Sequence, residues 1–143
     1  MAEIRPARVG DAEQLCLIDS EALGYDYPLD KTKKQLEKLL SSPFNRIYVA
    51  VEEGNVIGYV HGVDYDCLYS DPLKNIMALA VLPEYQGLGI GRALLAAVEG
   101  WAKETGCAGV RLVSRMDRAH AHGFYAHCGY SLRKEQKNFI KYL

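Results

Sequence analysis

Apolar and β-branched runs along the chain predict six strands. The runs span residues 4–7, 46–51, 56–63, 76–82, 110–113 and 139–143. Glu53-Gly54-Asn55 separates the second run from the third and is a turn signal, so these two strands are predicted to form a hairpin. Pro83 ends the fourth run, because proline lacks the N–H group that a strand ladder needs.

Helical periodicity predicts four helices between these strands. Their apolar positions are Leu15, Ile18 and Leu23 in the first, Leu36, Leu39 and Leu40 in the second, and Leu94, Leu95, Val98, Trp101 and Ala102 in the third, while the fourth spans residues 119–128. Asp11, followed by Gln14, matches a capping box, and Asp30 matches the N-cap of the second helix. The order of elements predicts an α/β (α+β) fold with a mixed, mostly antiparallel central sheet and helices on both faces.

Length and composition predict one domain over residues 1–143. The chain is 49% hydrophobic, carries a formal charge of -1, and contains no internal repeat or linker. This charge argues against general attraction to nucleic acid or to an anionic membrane. No apolar run approaches the roughly 18–20 residues of a membrane-spanning helix, and the first residues lack the apolar stretch of a secretory signal. We therefore expect a cytoplasmic protein whose four widely spaced cysteines are reduced.

A glycine-rich turn, Gln86-Gly87-Leu88-Gly89-Ile90-Gly91-Arg92, lies between a predicted strand and a predicted helix. Glycines let a backbone approach a ligand closely, and the first turn of a helix offers unpaired N–H groups at the positive end of its dipole. The turn is therefore a candidate phosphate cradle; a solvated turn whose glycines serve only tight packing is the alternative. A dinucleotide fingerprint is excluded because Arg92 occupies the place of its third glycine, and a P-loop is excluded because no GK[ST] follows.

Three segments together resemble the GNAT superfamily of acetyl-CoA-dependent N-acetyltransferases. The first is Q-x-x-G-x-G at residues 86–91, preceded by Leu79-Ala-Val-Leu-Pro-Glu-Tyr85. The second is the opening Ile4-Arg-Pro-Ala with Gly10-Asp-Ala, and the third is Arg118-x-x-Ala121-His122-x-Phe124-Tyr125-x-x-x-Gly129-Tyr130. The resemblance covers nearly the whole chain and implies an acyltransferase of the GNAT fold with acetyl-CoA as its co-substrate.

The resemblance also implies where acetyl-CoA binds. The main chain of Leu79, Ala80 and Val81 is expected to pair with the pantetheine arm, and an N–H near Ala80 or Val81 to polarise the thioester and stabilise the oxyanion. Residues 86–92 are expected to hold the pyrophosphate, where Arg92 is either a cation beside it or a solvated arginine. The expected cofactor-binding set is Leu79, Ala80, Val81, Gln86, Gly87, Leu88, Gly89, Ile90, Gly91, Arg92, Arg118 and Phe124.

Tyr125 matches the family tyrosine that protonates the departing CoA thiolate. A phenol has a reference pKa of about 10, close enough to that of a thiol for this role. Arg118 stands where the family often has asparagine; it either contacts a cofactor phosphate or carbonyl or caps a neighbouring element. Many relatives carry a glutamate base on the strand before the glycine turn, but residues 75–81 contain no carboxylate. The base is therefore unassigned; Glu21, Asp26, Asp64 and Asp66 are candidates that would act through a water.

A cluster of histidines near Tyr125 does not predict a metal site. His120 and His122 are two residues apart on a predicted helix and point in different directions, while His120 and His127 are two turns apart. His122, which matches the family motif, is better interpreted as a packing or hydrogen-bonding residue near the cofactor. We expect no metal cofactor.

The acceptor is expected to be a small-molecule or peptide amine. Tyr25, Tyr27, Tyr65 and Tyr69 lie in the two segments that flank the acceptor cleft in a GNAT-like fold, interleaved with Asp26, Asp64 and Asp66. Such a cleft would favour a small primary amine that carries positive charge. The leading hypothesis is direct acetyl transfer to a primary amine, and the alternative is an acyl-CoA-binding sensor or partner-binding module with little catalysis. The sequence leaves open whether the chain forms a homodimer.

Overall fold

The structure, a computed structural model that describes residues 2–143, contains a five-stranded sheet. The strands are β1 (Glu3–Pro6), β2 (Asn45–Glu52), β3 (Asn55–Tyr65), β4 (Leu73–Val81) and β5 (Gly109–Leu112). They lie in the order β1-β2-β3-β4-β5; the first four are antiparallel neighbours, and β5 runs parallel to β4. The predicted mixed, mostly antiparallel sheet is confirmed.

Four α-helices accompany the sheet in the part of the chain that the structure describes. They are α1 (Ala12–Ile18), α2 (Leu29–Leu40), α3 (Ile90–Glu104) and α4 (Ala119–His127). A 3₁₀ turn (Val9–Asp11) precedes α1, a π-helical turn (Asp19–Leu23) follows it, and a second 3₁₀ turn (Pro83–Tyr85) follows β4. All four helices were predicted.

Asp11 lies at the N-cap of α1, as predicted, but the predicted capping box of α1 and the predicted cap of α2 are wrong. Asp11 does not pair with Gln14 in a capping box; it accepts the Arg8 N–H at 2.8 Å and both terminal guanidinium nitrogens of Arg5 at 2.9 Å. Gln14 instead accepts a hydrogen bond from the main chain of β3. The second helix is capped at Pro28, so Asp30 lies inside its first turn. A proline at a helix start loses nothing, because the N–H groups there have no helical partner. The bonds of Asp11 to Arg5 and Arg8, the bond of Gln14 to β3 and the proline at the start of α2 thus replace the predicted caps.

The side chains of β3 show that α3 and α1 lie on opposite faces of the sheet. Gly58 and Gly62 lie under α3: a Cβ on Gly58 would come within 3.4 Å of Leu94 and 2.9 Å of the Ala80 carbonyl, and one on Gly62 within 3.1 Å of Val98. Tyr59, on the other face, hydrogen-bonds to the residue after α1. Successive strand residues point to opposite faces, so the expectation of helices on both faces is confirmed for α1 and α3.

The sixth predicted strand, residues 139–143, is wrong. The described chain has no strand after β5, and every residue from 131 to 143 is exposed, including Phe139, Ile140 and Tyr142. Strand propensity measures how well side chains fit a partly buried sheet, so a β-branched and aromatic pattern produces a strand only where another strand pairs with it.

The described residues form two compact units, one that ends at Val113 and one that spans Ser114–Leu143. The first contains the sheet with α1, α2 and α3, and the second contains α4. All four cysteines are free thiols, as predicted. Among residues 2–143, none of the helices is both long enough and apolar enough to cross a membrane.

Candidate functional site

The carboxyl half of β4 has an open edge. β5 pairs with residues 73–76 of β4, from Leu73 opposite Gly109 to Ile76 opposite Leu112, and pairing stops there. The β3–β4 register shifts at this level, so that Met77 is an extra residue of β4. A bulge of this kind bends its strand and interrupts the ladder. Within the described residues, β4 from Met77 to Val81 therefore has a strand on one side only.

The hydrogen-bond alternation in β4 decides which residues face this open edge. The Leu82 N–H donates to the Ile57 carbonyl at 2.9 Å, which makes these two a hydrogen-bonded pair. In an antiparallel ladder such pairs alternate with pairs whose polar groups point away from each other. Leu79 and Val81 therefore direct their N–H and C=O groups outward, whereas those of Ala80 are used in the sheet. The Val81 carbonyl indeed accepts the Gln86 side chain at 3.0 Å, so Val81 N–H is the outward donor nearest the strand end.

The glycine turn continues this edge into the start of α3. Gly87 and Gly89 have φ values of 80° and 84°, a left-handed conformation that side-chain-bearing residues rarely adopt. Gly89 is the N-cap of α3, a helix of 15 residues. A Cβ on Gly87 or Gly89 would meet no atom within 4 Å, so the turn presents bare backbone to open space. An outward strand edge that leads to a helix N-terminus fits an extended amide chain that ends in a phosphate.

The second unit places three aromatic rings together. Tyr125 contacts Phe124 with ring centroids 5.4 Å apart and Tyr130 with centroids 6.1 Å apart, both edge to face. Burial raises the pKa of the Tyr125 phenol, the charge of Arg118 at the N-cap of α4 opposes this increase, and Cys128 adds to it. The phenol is therefore protonated at neutral pH and can act as a proton donor.

His122 lies in the same unit and forms a hydrogen bond, one of the two roles predicted for it, while its location near the cofactor stays a prediction. Its Nε2 is 2.7 Å from the Arg115 carbonyl oxygen. The described residues contain no group of three or more His, Cys, Asp or Glu side chains placed to hold a metal ion.

The acidic and aromatic residues assigned to the acceptor do not share one cleft, contrary to the expectation. Tyr25, Asp26 and Tyr27 line a cleft of about 810 Å³ beside α1. Asp64 and Asp66 line a separate cavity of about 210 Å³ beside Trp101 of α3.

The other members of the expected acceptor set are also engaged elsewhere. The Arg111 guanidinium lies over the ring of Tyr65, with its Cζ 4.2 Å from the ring centroid, and Tyr69 is exposed. Asp64 forms an ion pair with Lys74. The separation follows from strand geometry, because Asp64 and Tyr65 are neighbours in β3 and point to opposite faces.

The Lys74–Asp64 pair supports the core, and its disruption is expected to destabilise the protein. Lys74 is 2% exposed, and its Nζ lies 3.8 Å from the Trp101 ring centroid. Asp64→Ala would leave this ammonium buried without its counter-ion, a change that typically costs about 3–5 kcal/mol. We expect the lower end of this range in urea unfolding, because the Asp64 side chain is 28% exposed.

Two further variants distinguish this explanation from a general loss of packing. Glu104→Gln removes an exposed ion pair with Arg46, 3.7 Å long, and should change the free energy of unfolding by less than about 1 kcal/mol. Adding Lys74→Met to Asp64→Ala should restore part of the stability, because no buried charge remains. A double variant less stable than Asp64→Ala would contradict the explanation.

The comparison with protein families identifies the chain. The model of the acetyltransferase (GNAT) family matches residues 12–130. The chain belongs to the GNAT family of acetyltransferases. This match extends from α1 through the glycine turn to Tyr130, so it covers both the open edge of β4 and the aromatic cluster of α4.

Curated relatives of this GNAT chain are N-acetyltransferases. It is 30% identical over 111 residues to aminoglycoside N(6')-acetyltransferase type 1 of Stenotrophomonas maltophilia, covering 71% of this chain and 69% of that protein. It is 26% identical over 131 residues to aminoalkylphosphonate N-acetyltransferase of Salmonella typhimurium (strain LT2), covering 91% of this chain and 85% of that protein.

A solved structure shares the fold. AAC(6')-Iy, in complex with the bisubstrate analogue CoA-S-monomethyl-acetylneamine, superposes with a TM-score of 0.88 at 19% identity and covers 100% of this chain and 99% of that one. The fold is thus the GNAT fold, as the resemblance implied, and the chain is an acyltransferase of that family.

Two polar residues on the α1 face escaped the sequence analysis. Asp19 follows α1, and its carboxylate accepts the hydroxyl of Tyr59 on β3. Both looked ordinary in the sequence, where Asp19 follows the last apolar position of a helix and Tyr59 stands inside a buried strand. An aspartate next to a buried helix position and a tyrosine in an apolar strand were the available signals, because each needs a polar partner.

Proposed function

We propose that this chain transfers the acetyl group of acetyl-CoA directly to a primary amine of a small molecule or peptide. The observation that carries this proposal is the outward edge of β4, which leads from Leu79 and Val81 into the glycine turn at Gly87 and Gly89. Pantetheine contains two amides and can pair with this edge as a short strand would. The relative AAC(6')-Iy, whose structure contains a CoA-linked analogue, has the same fold.

Within this proposal, the main chain activates the thioester. Val81 N–H donates to the acetyl carbonyl oxygen and stabilises the negative charge that develops there when the amine attacks. Residues 86–92 hold the pyrophosphate at the start of α3, where the helix dipole favours an anion. Gln86 contributes through its bond to the Val81 carbonyl, which orients the end of β4. Arg118 and Phe124 complete the cofactor site by analogy with the family motif.

Tyr125 completes the reaction as the general acid. When the tetrahedral intermediate collapses, the C–S bond breaks and the phenol gives its proton to the CoA sulfur. The raised pKa of Tyr125 keeps the phenol protonated for this step. We propose that both compact units belong to one acetyltransferase domain, because the family model spans residues on each side of Val113.

The acceptor class is best supported as a small amine that carries positive charge. The relatives are named for aminoglycoside and aminoalkylphosphonate substrates, both of which contain primary amines. In this chain Asp26 lies between Tyr25 and Tyr27 in the cleft beside α1, and its Oδ1 accepts the Ser20 hydroxyl at 2.8 Å. A carboxylate flanked by aromatic rings attracts a cation by charge and by ring-face contact.

A panel of amines tests the transfer and the charge preference together. The protein is incubated with acetyl-CoA and each amine, and free thiol is measured. At equal free-base concentration, 1,4-diaminobutane and an aminoglycoside should react several-fold faster than neutral amines, because partly exposed contacts contribute about 0.5–1 kcal/mol each. Asp26→Asn should reduce this preference, and Asp66→Asn, which lies in the other cavity, should not. Equal rates for charged and neutral amines would contradict the preference.

The same panel of amines distinguishes an acetyltransferase from an acyl-CoA-binding sensor. Amine-dependent thiol release supports acetyl transfer. Tight acetyl-CoA binding without thiol release for any amine would instead support an acyl-CoA-binding module and overturn the proposed catalysis.

A further inference from the structure

Asp19 and Tyr59 form a polar pair on the face of the sheet that α1 covers. The Tyr59 hydroxyl donates to Asp19 Oδ1, and Tyr59 is only 9% exposed. Asp19 opens the π-helical turn after α1, and this turn contacts β4. The carboxylate is half-buried and therefore remains within reach of solvent. One oxygen of Asp19 is thus fixed by a buried phenol, while the group as a whole is accessible.

The Asp19–Tyr59 pair lies next to Val81 N–H, the outward donor of β4. Tyr59 lies opposite Ala80 in the β3–β4 ladder. Opposite residues of an antiparallel ladder project from the same face, with Cβ atoms about 4.5–5.5 Å apart. Ala80 precedes Val81, whose N–H faces the open edge. The Asp19–Tyr59 pair therefore lies on one face of the sheet at the level of the proposed thioester carbonyl.

The two faces of the sheet offer unequal access to a carbonyl held at this edge. A hydrogen-bond donor lies near the plane of the carbonyl group it binds. When the pantetheine arm pairs with β4 as a strand would, the plane of the thioester carbonyl bound by Val81 N–H lies close to the plane of the sheet. The two faces of this carbonyl group then point toward the two faces of the sheet. On the α3 side, a Cβ on Gly58 would already lie 3.2 Å from Val81 and 3.4 Å from Leu94. On the α1 side stand the small side chain of Ala80 and the Asp19–Tyr59 pair. A nucleophile therefore approaches from the α1 side.

The charges around Asp19 suit a cation. The titratable groups close to Asp19 include Tyr59 and His61 of β3, Glu21 of the π-helical turn, and Tyr25 and Asp26 of the loop after it, while residues 75–81 of β4 carry none. Burial lowers the pKa of His61, whose Nε2 lies 2.8 Å from Asn45 Oδ1, so this ring is neutral at pH 7. Among the described residues, no lysine or arginine is hydrogen-bonded to Asp19.

We propose that Asp19 binds the acceptor amine as its ammonium ion and accepts the proton whose removal frees the nitrogen lone pair, with Tyr59 as the residue that positions Asp19. This inference rests on the proposed acetyl transfer. The ammonium N–H bond breaks toward the Asp19 oxygen, and the freed lone pair forms the C–N bond to the acetyl carbon. As the C–S bond breaks, Tyr125 gives its proton to the CoA sulfur, and the second nitrogen proton passes through water to the Tyr125 phenolate and restores the phenol. Asp19 then releases its proton to water, so one proton is released per turnover.

The pH profile gives a readout that a purely structural role would not change. Burial raises the pKa of Asp19, and the Tyr59 hydrogen bond lowers it. Asp19 must be ionised to bind ammonium, so kcat/KM rises with pH through its pKa. Tyr59→Phe removes the hydrogen bond but not the burial. It should therefore shift this acidic limb to higher pH and leave the plateau close to that of the parent.

The experiment compares the parent with Asp19→Asn, Tyr59→Phe and the control Glu37→Gln, which removes an exposed charge on α2. Affinity for 1,4-diaminobutane is measured by calorimetry on protein saturated with CoA, and kcat/KM is measured from pH 5 to 9 with acetyl-CoA. Asp19→Asn should weaken diamine binding by about 10- to 100-fold, as expected for a lost charged hydrogen bond, and should abolish the acidic limb. CoA affinity should not change in any variant.

The outcomes keep this inference distinct from the proposed function. If the parent transfers acetyl groups and Asp19→Asn keeps the parent's diamine affinity and acidic limb, Asp19 has no such role while acetyl transfer stands. An acidic limb that stays in place in Tyr59→Phe overturns the positioning role of Tyr59. A parent that releases no thiol with any amine overturns both proposals.

Discussion

Replacing Tyr125 by phenylalanine is expected to lower kcat by about 100- to 10,000-fold with little change in acetyl-CoA affinity. The substitution removes only the hydroxyl, so the edge-to-face contacts with Phe124 and Tyr130 remain. Without a proton donor, the departing group is a free thiolate, and collapse of the tetrahedral intermediate slows. Thiol release under saturating substrates and calorimetric binding of acetyl-CoA measure the two quantities separately.

The pH dependence of the same variant identifies the phenol as the acid. A raised pKa keeps Tyr125 protonated through neutral pH, so on the alkaline side the parent rate should fall as pH passes through that pKa. Tyr125→Phe should lack this alkaline limb. Tyr130→Phe, which removes a hydroxyl from a ring in the same cluster, should retain both the limb and most of the turnover. Equal rates in parent and Tyr125→Phe, with chemistry limiting, would remove Tyr125 from the mechanism.

The elements of the first unit were predictable because their signals are local. Strand and helix periodicity depend on which side of each element is buried, and both repeat within a few residues. The glycine turn was predictable for a different reason: two glycines at positive φ are needed for a strand to enter a helix in this conformation. The sequence therefore indicated where β4 ends, where α3 begins and which backbone lies between them.

The orientation of the main-chain donors was not predictable. Ala80 and Val81 were equivalent candidates in the sequence, because alternation of polar groups in a ladder depends on the register with the neighbouring strand. One contact, from Leu82 N–H to the Ile57 carbonyl, fixes that register and turns Val81 outward. A register is a property of two strands, and the sequence of one strand does not contain it.

The prediction of a single acceptor cleft was wrong, and the alternation of side chains along a strand explains why. Asp64 and Tyr65 are adjacent in β3, so one cleft cannot take both side chains. Lys74, directly opposite Asp64 in the ladder, neutralises that carboxylate. Asp19, a carboxylate on the α1 side that the sequence did not single out, is 40 residues from its partner Tyr59. Only the folded chain brings these two residues together.

Gly89→Val is expected to weaken acetyl-CoA binding by about 100-fold or more. Gly89 has φ of 84°, and a β-branched side chain is strongly disfavoured there. The substitution therefore reorients the turn, and its new side chain occupies the open space through which a pyrophosphate would approach. Hydrogen bonds to charged groups contribute about 1.5–3 kcal/mol each, so the loss of two backbone donors accounts for the expected effect.

A matched variant separates lost binding from backbone strain. Gly106 has φ of 73° just after the other end of α3, and a Cβ there also meets open space. Gly106→Val should therefore lower the free energy of unfolding by an amount similar to that of Gly89→Val, about 1–2 kcal/mol, but should leave acetyl-CoA affinity unchanged. Calorimetry on folded protein, checked by circular dichroism, measures both variants. If folded Gly89→Val binds acetyl-CoA as tightly as Gly106→Val does, the N-terminus of α3 does not hold the pyrophosphate, and the cradle must be sought elsewhere along the open edge of β4.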